Sequence, residues 1–145
     1  MSQPHPIQNG RTMLITTCTN SRDPVFANDA CARIAIETLY SIQHYYPFFL
    51  YGFVIMPDHC HFLLRVPEGG SISKIMNVYK RAVTFNLGMK YVWQKRFHMR
   101  LVNNVPEALR YVHANPVKKG LCKIAEEYRW SSACGRWDVM ELELM

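Results

Sequence analysis

Two histidines lie two residues apart in the segment Met56-Pro57-Asp58-His59-Cys60-His61-Phe62, at the start of a run typical of a β-strand. Side chains on a strand alternate between its two faces. His59 and His61 therefore point the same way, with Cα atoms about 6.5–7 Å apart. Two imidazoles at that spacing can reach one metal ion. An isolated His-x-His is more often a pair of half-exposed histidines at a strand end. The pair alone therefore does not establish a metal site, and other residues are needed.

Tyr111 and Asn115 lie one turn apart on a predicted helix and share one of its stripes. That stripe is about 70–110° from the centre of the helix's apolar face, at the edge of the core, where a side chain can meet the sheet. Each residue has an ordinary explanation when it is taken alone. The tyrosine is typical of an amphipathic helix with a buried ring and a solvated hydroxyl, and the asparagine of a helix end before proline.

Taken together, these four residues predict a phosphodiester-cleaving site. His59, His61 and the side-chain oxygen of Asn115 would be neutral ligands of a divalent cation, which then keeps its full charge and polarises a phosphate oxygen. Tyr111 would be the nucleophile, because a phenol needs a metal or a base to ionise. Its attack on a strand would form a phosphotyrosine link and conserve the bond energy for rejoining.

The pattern of apolar and turn residues predicts the element order β-α-β-β-α-β-α. The predicted strands cover residues 11–19, 48–56, 59–66 and 93–103. The first two predicted helices run from Asn28 or Asp29 to about Tyr45 and from Ser71 or Ser73 to about Tyr91. A third runs from a capping box at Asn104 to a stop or bend at Asn115-Pro116, and a further short helix is predicted to begin in the segment 128–133.

This order is typical of an α+β fold, a ferredoxin- or RRM-like antiparallel sheet of four to five strands. The helices are predicted to pack on one face, leaving the other face open for a ligand. The sequence shows no repeat and no linker, so residues 1–145 are predicted to be one domain.

The net charge of +6 is concentrated in the second part of the chain. Residues 1–64 carry three basic and four acidic side chains, whereas residues 65–145 carry fourteen basic and seven acidic ones. Basic residues interleaved with aromatic rings favour a groove for single-stranded nucleic acid, although each basic side chain alone is typical of a solvated surface. The predicted DNA-binding residues are Lys80, Arg81, Trp93, Lys95, Arg96, Arg100, Lys118 and Lys119.

Cysteine usage and hydropathy bear on the compartment. The five cysteines are scattered without a Cys-x-x-Cys pair, so reduced thiols are predicted rather than a zinc ribbon or a disulfide framework. The longest apolar run, residues 48–56, is far shorter than the roughly 20 residues of a membrane helix. Residues 1–6 lack an apolar signal segment, and a cytoplasmic protein is predicted.

Five blocks of the sequence, in the same order, resemble those of the REP-associated tyrosine transposases, a branch of the single-tyrosine HUH (IS200-like) transposases. The blocks are residues 51–64, residues 70–76 with Lys80-Arg81, residues 93–97, residues 111–121 and residues 128–133. The resemblance covers about residues 11–134, which it implies are the core of an HUH transposase-like domain.

The resemblance implies a single-strand DNA transesterase that uses Mg²⁺ or Mn²⁺ and acts on hairpin-forming repeat DNA, as a monomer or a homodimer. It implies His59 and His61 as metal ligands, Tyr111 as the nucleophile and Asn115 as the third ligand. The chain departs from the family pattern at His98 and Met99, where an aromatic and an acidic residue are usual. It also has Asp58 where asparagine is frequent.

Two other functions fit the same residues. One is a repeat-hairpin DNA-binding protein with weakened catalysis. The other is a metal-dependent phosphodiester hydrolase in which the His pair activates water and Tyr111 is dispensable.

Overall fold

The computed structural model describes residues 10–142, which form a four-stranded antiparallel sheet and three long helices. The sheet order is β2-β3-β1-β4, and the predicted α+β class is confirmed. The elements, in chain order, are β1 (Thr12–Cys18), α1 (Asp29–Tyr45), β2 (Phe49–Met56), β3 (His59–Arg65), α2 (Ile72–Asn86), β4 (His98–Leu101) and α3 (Val105–Lys118).

The hairpin of β2 and β3 turns at Pro57-Asp58, as the sequence predicts. In the sheet, His59 is opposite Met56 on β2 and Cys18 on β1, while His61 is opposite Val54 and Thr16. Strand alternation therefore puts both histidines on one face, and Cys60 between them faces the other way into the main core.

The three long helices begin at side-chain caps. Asn28 accepts a hydrogen bond from the backbone N–H of Cys31, and Ser71 accepts one from that of Lys74. Asn104 accepts one from the N–H of Glu107. These caps satisfy backbone donors that have no partner inside a helix, so the predicted starts at Asn28, Ser71 and Asn104 are confirmed.

Helices α1 and α2 pack on one face of the sheet and enclose the main core. Met13, Phe53 and Phe62 project from the strands and are completely buried. From α2, the equally buried Tyr79 donates a hydrogen bond to the carbonyl oxygen of Ala35 on α1, which links the two helices.

The third helix packs on the opposite face, which is a correction to the predicted arrangement. Ala108 and Val112 of α3 form a second core with Leu14, Val54 and Leu63. The face is therefore largely covered rather than open. Sequence patterning gave each helix an apolar stripe, but it did not say which face of the sheet that stripe meets. Because the histidines share this face, α3 is the helix that reaches them.

Two predicted boundaries are wrong between α2 and β4. Helix α2 ends at Asn86 rather than near Tyr91, because Gly88 takes a left-handed φ of 65° that stops the helix. Strand β4 covers only His98–Leu101. Trp93 pairs with Thr19 in an isolated bridge, and the chain then leaves the ladder before it rejoins at His98.

Helix α3 continues through the predicted stop at Pro116 to Lys118. A proline so near the helix end removes one backbone donor without ending the last turn. Gly120 has a left-handed φ of 75° and lies two residues after the end of the helix, where glycine is favoured.

The segment after α3 returns along β2 and contains two 3₁₀ turns, Ala125–Glu127 and Ser132–Cys134. The short helix predicted to begin within residues 128–133 is only the second of these turns. Ser131 bridges Val54, and Ile55 donates a backbone hydrogen bond to Trp130. Within residues 10–142, none of the helices has the length and apolar character that crossing a membrane requires. The predicted absence of a signal segment concerns residues 1–6, which lie outside the described part of the chain.

Candidate active site

The two histidines lie side by side beneath α3. Their ring centroids are 4.9 Å apart, and His59 and His61 are 7% and 6% exposed. The strand that carries them is hydrogen-bonded on both sides, to β1 and to β2, so the imidazoles project from a rigid support.

One nitrogen of each imidazole is held by an oxygen of the protein. Nδ1 of His59 is 2.7 Å from Oδ1 of Asp58, and Nδ1 of His61 is 2.8 Å from Oγ1 of Thr16. The Asp58 carboxylate is an acceptor, so Nδ1 of His59 carries the proton and donates it. In both rings Nδ1 is engaged, so Nε2 is the nitrogen left for a cation; for His61 this requires the Thr16 hydroxyl to accept the proton of Nδ1. Such outer partners orient ligand histidines.

Both histidines are kept neutral. Burial lowers the pKa of His61 to about 4, and the neighbouring His59 adds to this effect. Burial also lowers the pKa of His59, more strongly than Asp58 raises it. Arg22 and Lys119 act in the same direction as burial on the pKa of His59. A neutral imidazole is the form that binds a metal.

Tyr111 projects from α3 toward the histidines of its own chain. Its ring centroid is 5.8 Å from that of His61. The side chain is 44% exposed, so the hydroxyl can meet a substrate from solvent. The ammonium of Lys118 lies 5.4 Å from the Tyr111 ring centroid, which places a positive charge beside the phenol.

Asn115 lies on α3 one turn after Tyr111 and one turn before Lys119. One turn earlier, Tyr111 is next to His61; one turn later, Lys119 lines the same pocket as His59. Asn115 is only 8% exposed, and its side-chain amide forms no hydrogen bond with the described residues. The amide atoms still reach solvent, because they are not among the fully buried, unpartnered side-chain atoms of the described residues. They are therefore accessible to a ligand.

The donor set fits a divalent cation. Residues 10–142 contain no cluster of three histidine, cysteine or acidic side chains that could hold a metal, so a third protein ligand would have to be of another type, such as the Asn115 amide. Nε2 of His113, on the same helix, is instead 2.7 Å from Oγ of Ser132.

The two departures from the family pattern lie on opposite faces of the sheet. His98 is opposite Thr16, the partner of His61, and is exposed on the histidine face. Met99 is opposite Ile15 and packs against the main core. A side chain at position 99 therefore points away from the His pair.

The predicted DNA-binding residues divide into exposed and engaged groups. The Lys80 ammonium is bonded to the carbonyl oxygens of Gln94 and Lys95. Trp93 donates from Nε1 to the carbonyl oxygen of Lys80 and packs on Phe26. Both hold the α2–β4 loop in place. The exposed basic residues are Arg81, Lys95, Arg96, Arg100, Lys118 and Lys119.

Sequence reasoning missed two residues that touch the site. Thr16 lies on β1, which the sequence marks mainly by its apolar and β-branched residues. Because Thr16 is two residues from Leu14, both side chains lie on the same face of the strand, which is the histidine face. Arg22, in a loop, donates from Nε to Oδ2 of Asp58 at 3.0 Å. With the hydrogen bond from His59, it lowers the pKa of Asp58 although burial acts in the opposite direction. No periodic signal marks Arg22.

Comparison with known families and proteins gives a consistent result. A sequence model of the family described as "Transposase IS200 like" matches residues 11–115. A REP-associated tyrosine transposase of Escherichia coli K12 is 30% identical over 90 residues, which cover 59% of this chain and 54% of the relative. A second curated relative, from Haemophilus influenzae, is 30% identical over 106 residues, or 61% of this chain and 60% of its own. The chain thus spans little more than half the length of the curated relatives it matches.

A solved structure has the same fold. It is described as the REP-associated tyrosine transposase bound to a REP hairpin; it aligns with a TM-score of 0.79 at 23% identity and covers 99% of this chain and 95% of its own. The resemblance read from the five sequence blocks is confirmed.

Proposed function

This chain belongs to the family of IS200-like transposases, and from that premise we propose that it cuts and rejoins single-stranded DNA at hairpin-forming repeats, with Tyr111 as the nucleophile. The observation that carries the proposal is the position of Tyr111, 5.8 Å from His61 between ring centroids and within one chain. Hairpin repeat DNA is the substrate class we favour because the solved relative is bound to a REP hairpin.

The reaction is a transesterification. The Tyr111 oxygen attacks a backbone phosphorus, a new O–P bond forms, and the bond to the leaving strand oxygen breaks. The phenol gives up one proton to solvent and the leaving oxygen takes one up, so charge and protons balance. The reverse attack by a strand hydroxyl restores the phosphodiester and releases the tyrosine.

His59, His61 and Asn115 are the residues we propose to hold the divalent cation, Mg²⁺ or Mn²⁺. When bound there, the cation would act as a Lewis acid toward the attacked phosphate. The protein's own part is to keep both imidazoles neutral by burial, to fix the tautomer of His59 through Asp58 and to orient His61 through Thr16. Helix α3 supplies both the nucleophile and the third ligand, so a small shift of this helix would move both.

Exposed cations around this face provide the DNA contacts in the proposal. Arg100 on β4 lies on the histidine face, since it is opposite Leu14 of the second core. Lys118 and Lys119 follow Asn115 at the end of α3 and are exposed. Arg81, on α2, and Lys95 line a separate surface groove, which Lys80 and Trp93 support and next to which Arg96 follows in the chain. Such a groove binds the backbone by charge, and its affinity falls as salt rises.

Formation of a covalent adduct tests the proposal. The chain is incubated with Mn²⁺ and labelled hairpin oligonucleotides carrying randomised single-stranded flanks, and covalent protein–DNA adducts are resolved on a denaturing gel. We expect an adduct with the natural sequence and none with Tyr111→Phe. Tyr45→Phe is the matched control, because Tyr45 is also exposed, at 73%, and ends α1 on the other face of the sheet. It should react like the natural sequence.

The other two functions predict different products. A binding-only protein would retain the hairpin without forming any adduct, and Tyr111→Phe would change nothing. A hydrolase would release free 5′-phosphate ends, and Tyr111→Phe would cut as well as the natural sequence. Either result would refute the assignment of Tyr111 as nucleophile.

A further inference from the structure

A pocket of about 290 Å³ opens beside His59, on the side away from Tyr111. Arg22 and Lys119 contribute its two cations, and Asp58 its acidic group. The cations come from distant parts of the chain: Arg22 from the loop after β1 and Lys119 from the residue that follows α3. Their convergence is a property of the fold and is not visible as a cluster in the sequence.

The charges in this pocket leave a net attraction for an anion. The Asp58 carboxylate is already shared, since it accepts hydrogen bonds from Arg22 and from His59. The Lys119 ammonium forms no ion pair or hydrogen bond with the described residues. Two cations against one carboxylate give the lining one excess positive charge while His59 is neutral.

The backbone holds Arg22 in an unusual conformation. Ser21 and Arg22 have φ angles of 55° and 54°, and they are the only non-glycine residues with positive φ in the described part of the chain. Left-handed conformations are unfavourable for residues with a Cβ atom and persist where the surroundings enforce them. Here the loop turns the guanidinium toward Asp58, where Nε donates at 3.0 Å, and this keeps Arg22 at the wall of the pocket.

We propose that Arg22 and Lys119 form a second phosphate site, which binds the backbone phosphate adjacent to the one that Tyr111 attacks. This inference rests on the proposed function and specifies how the strand is held. Tyr111 lies next to His61, His59 next to His61, and the pocket next to His59. A DNA strand with one backbone phosphate at the histidines would therefore place the adjacent phosphate in this pocket.

The chemistry of the two side chains suits a phosphodiester. Arg22 already donates from Nε to Asp58 and from Nη1 to Cys18, so its remaining N–H groups are the ones that would meet phosphate oxygens. Lys119 adds a mobile point charge. Free inorganic phosphate would use the same donors, so the experiment has to separate the two sources.

Binding measurements on Tyr111→Phe protein, which cannot capture DNA covalently, test the site. Lys119→Gln in this background should weaken binding of the hairpin oligonucleotide several-fold at low salt. The slope of log affinity against log salt should fall by about 0.7, the contribution of one contact to a single strand. Lys74→Gln is the matched control: Lys74 lies on α2, on the other face of the sheet, beside the Tyr46 ring. It should leave both quantities unchanged.

A scan with neutral methylphosphonate linkages then locates the contact. When the methylphosphonate replaces one linkage next to the cleavage position, proteins with Lys119 and with Lys119→Gln should bind the oligonucleotide equally well. The phosphate charge that Lys119 recognises is then gone. At other linkages the difference between them should persist. Arg22→Lys keeps the positive charge but loses the guanidinium geometry, so it should bind the natural oligonucleotide more weakly. A neutral methylphosphonate at the same linkage should remove this difference in affinity.

Three results would overturn the site. The first is equal binding by the Lys119→Gln and Lys74→Gln proteins. The second is a Lys119 effect that no linkage abolishes. The third is inorganic phosphate binding that depends on Lys119 while no linkage responds, which would assign the pocket to free phosphate. Adduct formation by Tyr111 in the unmodified protein is measured separately, so each of these results leaves the proposed transesterase intact and removes only the second phosphate site.

Discussion

Nε2 of His113 lies 2.7 Å from Oγ of Ser132, and this contact ties α3 to the segment that follows it. The same hydroxyl accepts a hydrogen bond from the backbone N–H of Phe53 on β2 at 3.0 Å. Helix, strand and C-terminal segment thus meet at one buried serine. The helix that carries Tyr111 and Asn115 is held against the sheet by a polar contact as well as by its apolar stripe.

Ser132→Ala is expected to destabilise the protein by about 1–3 kcal/mol, because it leaves the Phe53 N–H and the His113 ring without their partner in a buried place. Urea unfolding followed by circular dichroism measures the change. Ser41→Ala, at an exposed position of α1, is the control and should stay within about 0.5 kcal/mol of the natural protein. Equal stability of the two variants would show that the Ser132 contacts are not needed to hold the segment.

Gly52→Ala is expected to push α3 away from β2. A Cβ atom at position 52 would lie 2.3 Å from Cδ1 of Leu109 and 3.2 Å from Oγ of Ser132. The leucine tip can rotate, but Ser132 is held by its hydrogen bonds, so a cost of about 1–3 kcal/mol is expected from overpacking. Urea unfolding again gives the value.

A second substitution identifies the cause of that cost. In a Leu109→Ala background the clash disappears, and Gly52→Ala should then cost clearly less than it does alone. An unchanged cost in both backgrounds would assign the effect of Gly52→Ala to the strand itself rather than to the approach of α3.

The sequence was sufficient to place the histidines, because strand alternation is local. His59 and His61 share a face for the same reason that Cys60 between them does not. Tyr111 and Asn115 share a stripe of α3 through helical periodicity. Each relation depends on one element only, so a short stretch of sequence determines it.

What could not be predicted depends on contacts between distant segments. The face on which α3 packs is decided by the fit of Ala108 and Val112 to Val54 and Leu63, and no periodicity encodes that choice. Arg22 reaches Asp58 through two left-handed residues in a loop. The early end of α2 was different, since Gly88 after Leu87 is a recognisable stop signal that the long apolar stripe outweighed.

The stability of the metal-free protein is expected to fall as the pH is lowered below neutral. The pKa of His61 is lowered to about 4 by burial, with a smaller contribution from His59, whereas an unfolded histidine titrates near 6.5. Between these values the unfolded chain binds more protons, so protonation favours unfolding. The contribution of His61 is fully present above about pH 6.5 and is lost toward pH 4, in total about 3 kcal/mol.

Urea unfolding with a chelator present, at about pH 7 and about pH 5, measures this loss. Burial also lowers the pKa of His59 and of His113, so these residues act in the same direction. His61→Gln should therefore show a weaker, but not absent, dependence on pH. Identical pH dependence in the variant and in the natural protein would mean that His61 is not held neutral by its surroundings.

Thr16→Val is expected to weaken Mn²⁺ binding about 10–100-fold, the usual cost of removing the outer partner of a ligand histidine. The hydroxyl of Thr16 is 2.8 Å from Nδ1 of His61 and holds that ring in its orientation. Valine has nearly the same shape but cannot form this hydrogen bond. Isothermal titration of the chain with Mn²⁺ measures the affinity without requiring DNA or turnover.

The neighbouring residue provides the matched control. Thr17 is completely buried on the opposite face of β1, and its Oγ1 is the only buried side-chain nitrogen or oxygen without a hydrogen-bond partner in the described residues. Thr17→Val removes the same group, so Mn²⁺ affinity should stay unchanged while stability stays equal or rises by about 1 kcal/mol. If both variants lost Mn²⁺ affinity equally, the loss would come from disturbance of β1, and the Thr16 hydroxyl would have no specific role in orienting His61.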